Sequence, residues 1–126
     1  MELGMARIYE FDLPYPPSLN HYYRNVRGRT LISAEGRRYR ARVKACLVGS
    51  IPLRNRLRVI VRVCPPDRRR RDLDNVLKAL LDALQHAGAY EDDGQIDHLD
   101  VRRGPIVKGG RILLTIEPLK TVGENV

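Results

Sequence analysis

Residues 57–88 read LRVIVRVC PPDRRRRD LDNVLKALLDALQHAG, and the periodicity changes twice along them. Leu57 to Cys64 alternates apolar and polar side chains and is rich in valine, the period-two signature of a half-buried strand. Pro65 and Pro66 end it, because proline cannot donate to a strand ladder. From Leu73 to Ala87 the period becomes that of a helix. Leu73, Val76, Leu77, Leu80, Leu81 and Leu84 form one apolar stripe, with Asp74, Asn75, Lys78, Asp82 and Gln85 on the other side. Gly88 stops this helix, since glycine accepts the left-handed backbone of a helix end. Between strand and helix lies a loop of four arginines that closes on Asp72, a good N-cap residue.

Working outward, Arg7 to Leu13 (RIYEFDL) alternates and predicts a first strand, ended by Pro14, Pro16 and Pro17. Ser18 to Thr30 reads as a polar loop bearing arginine and tyrosine, with Gly28 as a turn. Ser33 caps a helix that runs to about Val48 and stops before Gly49 and Pro52. Ile96 to Arg102 and Arg111 to Glu117 predict two further strands. Lys108-Gly109-Gly110 suits a hairpin turn between them, and Pro118 closes the last. The expected fold is α+β: a single domain over 1–126 in the order β-α-β-α-β-β, one mixed sheet with helices packed on it. Residues 1–6 and 119–126 are expected to be flexible tails.

The chain has 126 residues, 43% of them hydrophobic and 30% charged, which excludes a disordered tail and suits one folded domain. No apolar run approaches the roughly 20 residues of a membrane span. The N-terminus lacks a basic segment followed by an apolar one, so no secretory signal is expected and the chain is read as cytoplasmic. Cys46 and Cys64 lack metal-type spacing and are expected to be reduced core thiols.

Net charge is +8, and 19 of the 23 basic residues are arginine, whose planar fork binds phosphate bidentately. That balance points to a polyanionic partner. Yet nine of the 15 acidic residues fall between Asp67 and Asp100, in the segment that also holds the densest arginine run. A protein that binds polyanions keeps carboxylates away from its ligand unless a metal ion stands between them.

Asp72 and Asp74 have a structural reading as an N-cap and a first-turn acid. Two carboxylates one residue apart, where a loop kinks into a helix, also suit a hard cation such as Mg²⁺, which takes oxygen ligands and substrate phosphate. Lys78 lies one turn beyond Asp74, placed either for an ordinary i, i+4 salt bridge or to neutralise a scissile phosphate. Arg68 to Arg71 precede a helix N-terminus, where cations are disfavoured, so helix stability does not explain them; they read either as a solvated loop or as a phosphate clamp. Glu91-Asp92-Asp93 follows the helix and, taken alone, reads as an acidic surface turn. Residues 74–87 span roughly 20 Å as helix. The six residues from Gly88 to Asp93 reach at most about 20 Å when extended. Either that segment runs nearly straight back, or Asp93 completes a site with a second subunit. His21, His86 and His98 share no spacing and read as surface or supporting residues. No Gly-x-Gly phosphate loop is present, so no nucleotide cofactor is expected.

The run PDRRRRDLDN with Lys78, then Asp82-Ala83-Leu84 with Ala87-Gly88, then DDGQI from Asp92, resembles the RusA-type Holliday junction resolvases. LPYPPSLNHYYR at 13–24, RGRTLISAEGRRYR at 27–40 and VKGGRILLTI at 107–116 are similar too, so the resemblance covers about Ile8 to Pro118. It implies a Mg²⁺-dependent homodimer, with Mn²⁺ as a substitute, that nicks four-way DNA junctions symmetrically beside CC dinucleotides and leaves ligatable ends. It places the family's three essential aspartates on Asp72, Asp74 and Asp93, and its active-site lysine on Lys78. Asp92 is the weaker candidate of its pair. Gly94 departs from the Ser or Ala usual after the third acid and is expected to loosen that loop. Arg68 to Arg71, with Arg27, Arg29, Lys108 and Arg111, are expected to hold the DNA backbone. The rival readings are an inactive junction-binding protein, a general branched-DNA or flap nuclease, and an RNA-binding module. The last needs exposed aromatics on a strand face, and the chain has one phenylalanine and no tryptophan.

Overall fold

A computed structural model of the protein describes residues 8–47 and 53–119. The elements run β1 (Tyr9–Leu13), α1 (Leu19–Tyr22), β2 (Tyr23–Val26), β3 (Arg29–Ile32), α2 (Ala34–Cys46), β4 (Arg56–Cys64), α3 (Leu73–Ala87), a one-turn 3-10 helix (Asp93–Gln95), β5 (Ile96–Arg103) and β6 (Arg111–Leu119). Four strands form one mixed sheet in the order β1-β6-β4-β5, while β2 and β3 pair separately as a two-stranded ribbon. The fold is the α+β domain that the periodicity predicts, with a ribbon added.

Strand β4 is the centre of the sheet. It pairs parallel with β5 and antiparallel with β6. Parallel neighbours need a long connection, and α3 supplies it between β4 and β5. Leu57, Val59, Val61 and Val63 of β4 and Ile112, Leu114 and Ile116 of β6 point to one face and are buried in one core with residues of α2 and α3. From α3 the core takes Val76, Ala79, Leu80, Ala83 and Leu84, while Leu73, Leu77 and Leu81 are only partly buried. The other sheet face carries ion pairs: Arg58 with Glu117, Arg102 with Asp100, and Arg111 with Asp12.

Several expectations need correction. Residues 18–30 are not a loop: they form α1 and most of the ribbon. Arg27 (φ 51°) and Gly28 (φ 77°) are both left-handed, the backbone of the tight turns that fit a twisted two-residue hairpin. The turn at Gly109 (φ 82°) and Gly110 (φ 77°) is real but joins no hairpin, because β5 and β6 lie on opposite sides of β4. The connection crosses the end of β4 instead, where Gly104 N–H donates to the Val63 carbonyl (2.8 Å) and Val107 N–H to the Pro65 carbonyl (2.9 Å). Asp82, on the polar side of α3 as expected, is half-buried. It accepts from the Tyr22 hydroxyl (2.5 Å) and from Arg40 Nη2 (2.7 Å). Cys64 is buried, but Cys46 is exposed, since the last turn of α2 sends Val43 and Leu47 inward instead. Both thiols are free. Leu119, expected in a tail, pairs with Arg56. The remaining tail residues, Arg7 and Val48 lie outside the described residues, and β1 starts at Tyr9.

Candidate active site

The N-terminal end of α3 receives the chain from β4 through residues 65–72. Asp67 folds this loop back on itself: its carboxylate accepts from the Arg69 amide (2.9 Å) and from both terminal nitrogens of Arg71 (2.6 and 3.1 Å). The Arg71 guanidinium, and after it the Arg69 amide, hold the Asp67 carboxyl well below the usual carboxylate range. The four arginines therefore divide by role. Arg71 and Arg69 close the loop, whereas Arg68 and Arg70 are exposed and have no carboxylate partner among the described residues.

Asp72 occupies the N-cap position with extended backbone (φ −88°, ψ 141°), yet its side chain makes no capping hydrogen bond. Asp74 stands in the first turn, and no ion pair joins it to Lys78 among the described residues. All three side chains are exposed. Neither the capping nor the salt-bridge reading accounts for them. Beside Asp72 opens a groove of about 380 Å³ walled by Tyr15, Ser18, Arg70 and Asn75. Behind the arginine loop a second hollow of about 450 Å³ is lined by Arg68, Arg70, Arg103 and Ile106. Asn75 and Arg103 were not among the sequence candidates. Asn75 stood inside the quoted run, while Arg103 becomes visible only when β5 is paired beside β4.

The C-terminal end of α3 is acidic and held differently. Gly88 (φ 87°, ψ 21°) turns the chain, and buried Tyr90 donates its hydroxyl to the Leu81 carbonyl (3.0 Å). Asp92 caps the 3-10 turn, accepting from the Gly94 amide (3.2 Å), while the Gln95 side chain accepts from the Glu91 and Asp92 amides (both 2.9 Å). A Cβ at Gly94 would lie 2.6 Å from an Asp92 carboxylate oxygen, so a larger residue there would have to move the Asp92 side chain. Glu91 pairs with Arg54 (2.9 Å), and Arg56 grips Asp97 through Nε (3.1 and 3.0 Å) and Nη2 (2.5 Å). That grip lowers the Asp97 pKa. Asp93 is left out. Its amide donates to Gln85 Oε1 (3.1 Å), but its carboxylate has no partner among the described residues.

The same holds along the chain. Of the nine aspartates, six have a hydrogen-bond or ion-pair partner for the carboxylate. The three without one among the described residues are Asp72, Asp74 and Asp93. In a chain of net charge +8, three exposed aspartates unclaimed by arginine demand an explanation. One chain does not bring them together. Gln85, which holds the Asp93 amide, lies eleven residues past Asp74, about 16 Å along the helix axis. No group of three or more His, Cys, Asp or Glu able to hold a metal forms among the described residues. What the N-terminal end offers is two free, exposed carboxylates, oxygen donors that suit a hard divalent cation.

The other candidates fall on separate structures. Arg27 and Arg29 sit exposed at the tip of the ribbon, and Lys108 is exposed on the turn before β6. Arg111 is engaged by Asp12 (3.2 Å) on the ion-paired sheet face. His21, His86 and His98 are exposed, as expected. Tyr22 is buried and Tyr15 and Tyr23 are partly so, which leaves no exposed aromatic stacking surface on the ribbon. No helix among the described residues is long and apolar enough to cross a membrane.

The chain is 50% identical over 111 residues to the crossover junction endodeoxyribonuclease rusA of Enterobacteria phage 82, covering 86% of this chain and 92% of that protein. The protein of the same name from Enterobacteria phage HK97 is 49% identical over 117 residues, with 90% and 98% coverage. Crossover junction endodeoxyribonuclease RusA of Escherichia coli strain K12 is 48% identical over 111 residues, with 86% and 92% coverage. The family model described as endodeoxyribonuclease RusA matches residues 14–117, a span that takes in the arginine loop, both ends of α3 and the ribbon; the chain belongs to the RusA family of endodeoxyribonucleases.

Proposed function

We propose that this chain is a Mg²⁺-dependent, homodimeric endonuclease that resolves four-way DNA junctions by symmetric paired nicks, in DNA recombination and repair. Its membership of an endonuclease family supports the class of reaction. The observation that carries the finer reading is the trio of unpartnered aspartates in a strongly basic chain. Asp72 and Asp74 of one subunit and the partner subunit's Asp93 would hold the cation, because about 16 Å of helix separates the two ends of α3 within one subunit. When bound, Mg²⁺, or Mn²⁺ in its place, supplies Lewis acidity at the phosphate and neutralises developing charge. Arg68 and Arg70 hold the DNA backbone beside the groove at Asp72. The N-terminal amides of α3, unclaimed by the Asp72 side chain, favour an anion there, and Lys78 stabilises the phosphate as its charge grows. A two-fold dimer would present two such sites, matching the near two-fold symmetry of a four-way junction and giving paired cuts.

The test is cleavage of a labelled, mobile four-way junction in Mg²⁺ by wild type, Asp72→Asn, Asp93→Asn and an equimolar mixture of the two variants after subunit exchange. Wild type should make paired, symmetric nicks, and each variant should bind without cutting. The mixture should regain nicking at roughly a quarter of the wild-type sites, since half the dimers are mixed and each rebuilds one site. A silent mixture would overturn the shared site. Binding by wild type without cutting in any divalent metal would overturn the nuclease reading.

A further inference from the structure

We infer that the β2–β3 ribbon is a second DNA contact, one that grips an arm of the junction away from the scissile phosphate and so sets the preference for branched over linear DNA. The inference rests on the junction-cleaving function above and adds the element that selects the substrate's shape.

Charge comes first. No carboxylate occurs between Asp12 and Glu35, a gap of 22 residues, and within it lie Arg24, Arg27 and Arg29. None of the three has a carboxylate partner among the described residues, whereas Arg40, Arg54, Arg56, Arg58, Arg102 and Arg111 all do. A polyanion is the chemistry that this surface fits.

Shape comes second. Residues 24–31 are all exposed, and the ribbon pairs with no strand of the main sheet. Tyr23 and Ile32 pair at its base and pack partly buried against the core. Asn25 and Thr30 share their face, where the Thr30 hydroxyl donates to Asn25 Oδ1 (3.2 Å). By the strand period, Arg24, Leu31, Val26 and Arg29 then share the opposite face, two arginines alternating with two aliphatic residues. Such a face suits the phosphates and sugar edge of one strand. Arg27 extends from the tip, held there by the left-handed turn.

Rigidity comes third. The base of the ribbon is fastened to α3 and α2. Tyr22 donates to Asp82, and Arg40 reaches both Asp82 (2.7 Å) and the Tyr22 hydroxyl (3.0 Å). Ser33 donates to the Tyr22 carbonyl (2.9 Å) while accepting from the Gly36 amide (2.9 Å). A side chain at Gly36 would strike the Tyr22 carbonyl and lie 2.8 Å from Ile32 Cγ1. Asp82 lies ten residues after Asp72, about 15 Å along α3. The strands extend on the order of 13 Å from that base. The ribbon is therefore rooted apart from the phosphate at Asp72. A linear duplex fills one of the two contacts and a branched DNA fills both, which raises affinity through effective concentration.

The experiment compares affinity for a four-way junction and for a linear duplex of the same arm sequence across a salt series, in full-length protein carrying Asp72→Asn to prevent cutting. Arg24→Gln/Arg27→Gln/Arg29→Gln should lower the junction-to-duplex affinity ratio by roughly 10- to 100-fold and reduce the junction salt slope by about 2 to 3. Arg68→Gln/Arg70→Gln should weaken both substrates together and leave that ratio in place. A photo-crosslinker on Val26→Cys, with Cys46→Ser to remove the other exposed thiol, should mark an arm of the junction and not the nucleotides at the cut. An unchanged ratio, or crosslinks confined to the scissile nucleotides, would overturn the ribbon's role while junction cleavage still stood. A parent protein with no preference for junctions over duplex would overturn both.

Discussion

At the N-terminal end of α3 two aspartates stand beside four arginines and pair with none of them. At the C-terminal end Glu91, Asp92 and Asp97 are each held, two by arginines and one by a backbone amide, and Asp93 alone is not. The difference teaches that nearness in sequence does not decide pairing. The arginine loop has its own carboxylate, Asp67, which takes Arg71 and Arg69 and keeps them from Asp72 and Asp74. The far end has its own arginines, Arg54 just before β4 and Arg56 at its start, and these claim two of the acids around the turn. Each end thus sets structural acids apart from free ones, and the free ones are the candidate ligands.

The sharpest way to break that division is to exchange the neighbours Asp92 and Asp93. Asp93→Asn should lower junction cleavage by on the order of 10²- to 10³-fold with little change in melting temperature, because its carboxylate supports nothing in the fold. Asp92→Ala should keep cleavage within about threefold and instead lose about 1 kcal/mol of capping, a fall of roughly 2–6 °C in Tm. Cleavage rates and thermal melts of the two variants decide it. If Asp92→Ala loses cleavage and Asp93→Asn loses stability, the division between structural and free acids is wrong at this end.

A second comparison sets the middle of α3 against its ends. Asp82 is partnered and half-buried, with Arg40 and Tyr22 on one oxygen. Asp82→Ala leaves the Arg40 charge and the Tyr22 hydroxyl without their partner. Full burial would make this worth 3–5 kcal/mol, and side-chain exposures of 22% and 27% reduce it to about 2 kcal/mol. Amide exchange over Tyr23–Ile32 should quicken in this variant, because the same carboxylate anchors the ribbon. Lys78→Met should act oppositely, leaving stability alone and slowing cleavage by about 10- to 100-fold at saturating substrate.

How far the sequence carried these conclusions depends on the range of the forces involved. Helix α3 was legible to the residue, since a leucine stripe and Gly88 are local signals. So was the Ser33 cap. The ribbon was not, because its strands are short and exposed and its base is pinned by Asp82, sixty residues from Tyr22. The strand order was hidden for a similar reason: Lys108-Gly109-Gly110 has the composition of a hairpin turn, and only the placement of β4 between β5 and β6 rules a hairpin out. Asp72, Asp74 and Asp93 were legible as candidates from their company in the chain. That their carboxylates alone lack partners depends on which arginine reaches which acid, a long-range matter.

The smallest expected effect tests the loop that leaves the candidate acids free. Arg71 and the Arg69 amide lower the Asp67 pKa in the folded chain below its ordinary 3.8. A lowered folded value means that ionised Asp67 stabilises the fold fully above the unfolded value, and that this contribution fades as pH falls from there toward the folded value. The difference in urea midpoint between wild type and Asp67→Asn should therefore hold steady from pH 7 to about pH 5 and shrink below about pH 4. The group is exposed, so the difference is small at every pH. A gap that widened on acidification would mean that Arg71 does not favour the ionised carboxylate. Arg71 would then be free to reach Asp72, and the contrast between the arginine loop and its unpaired neighbours would lose its cause.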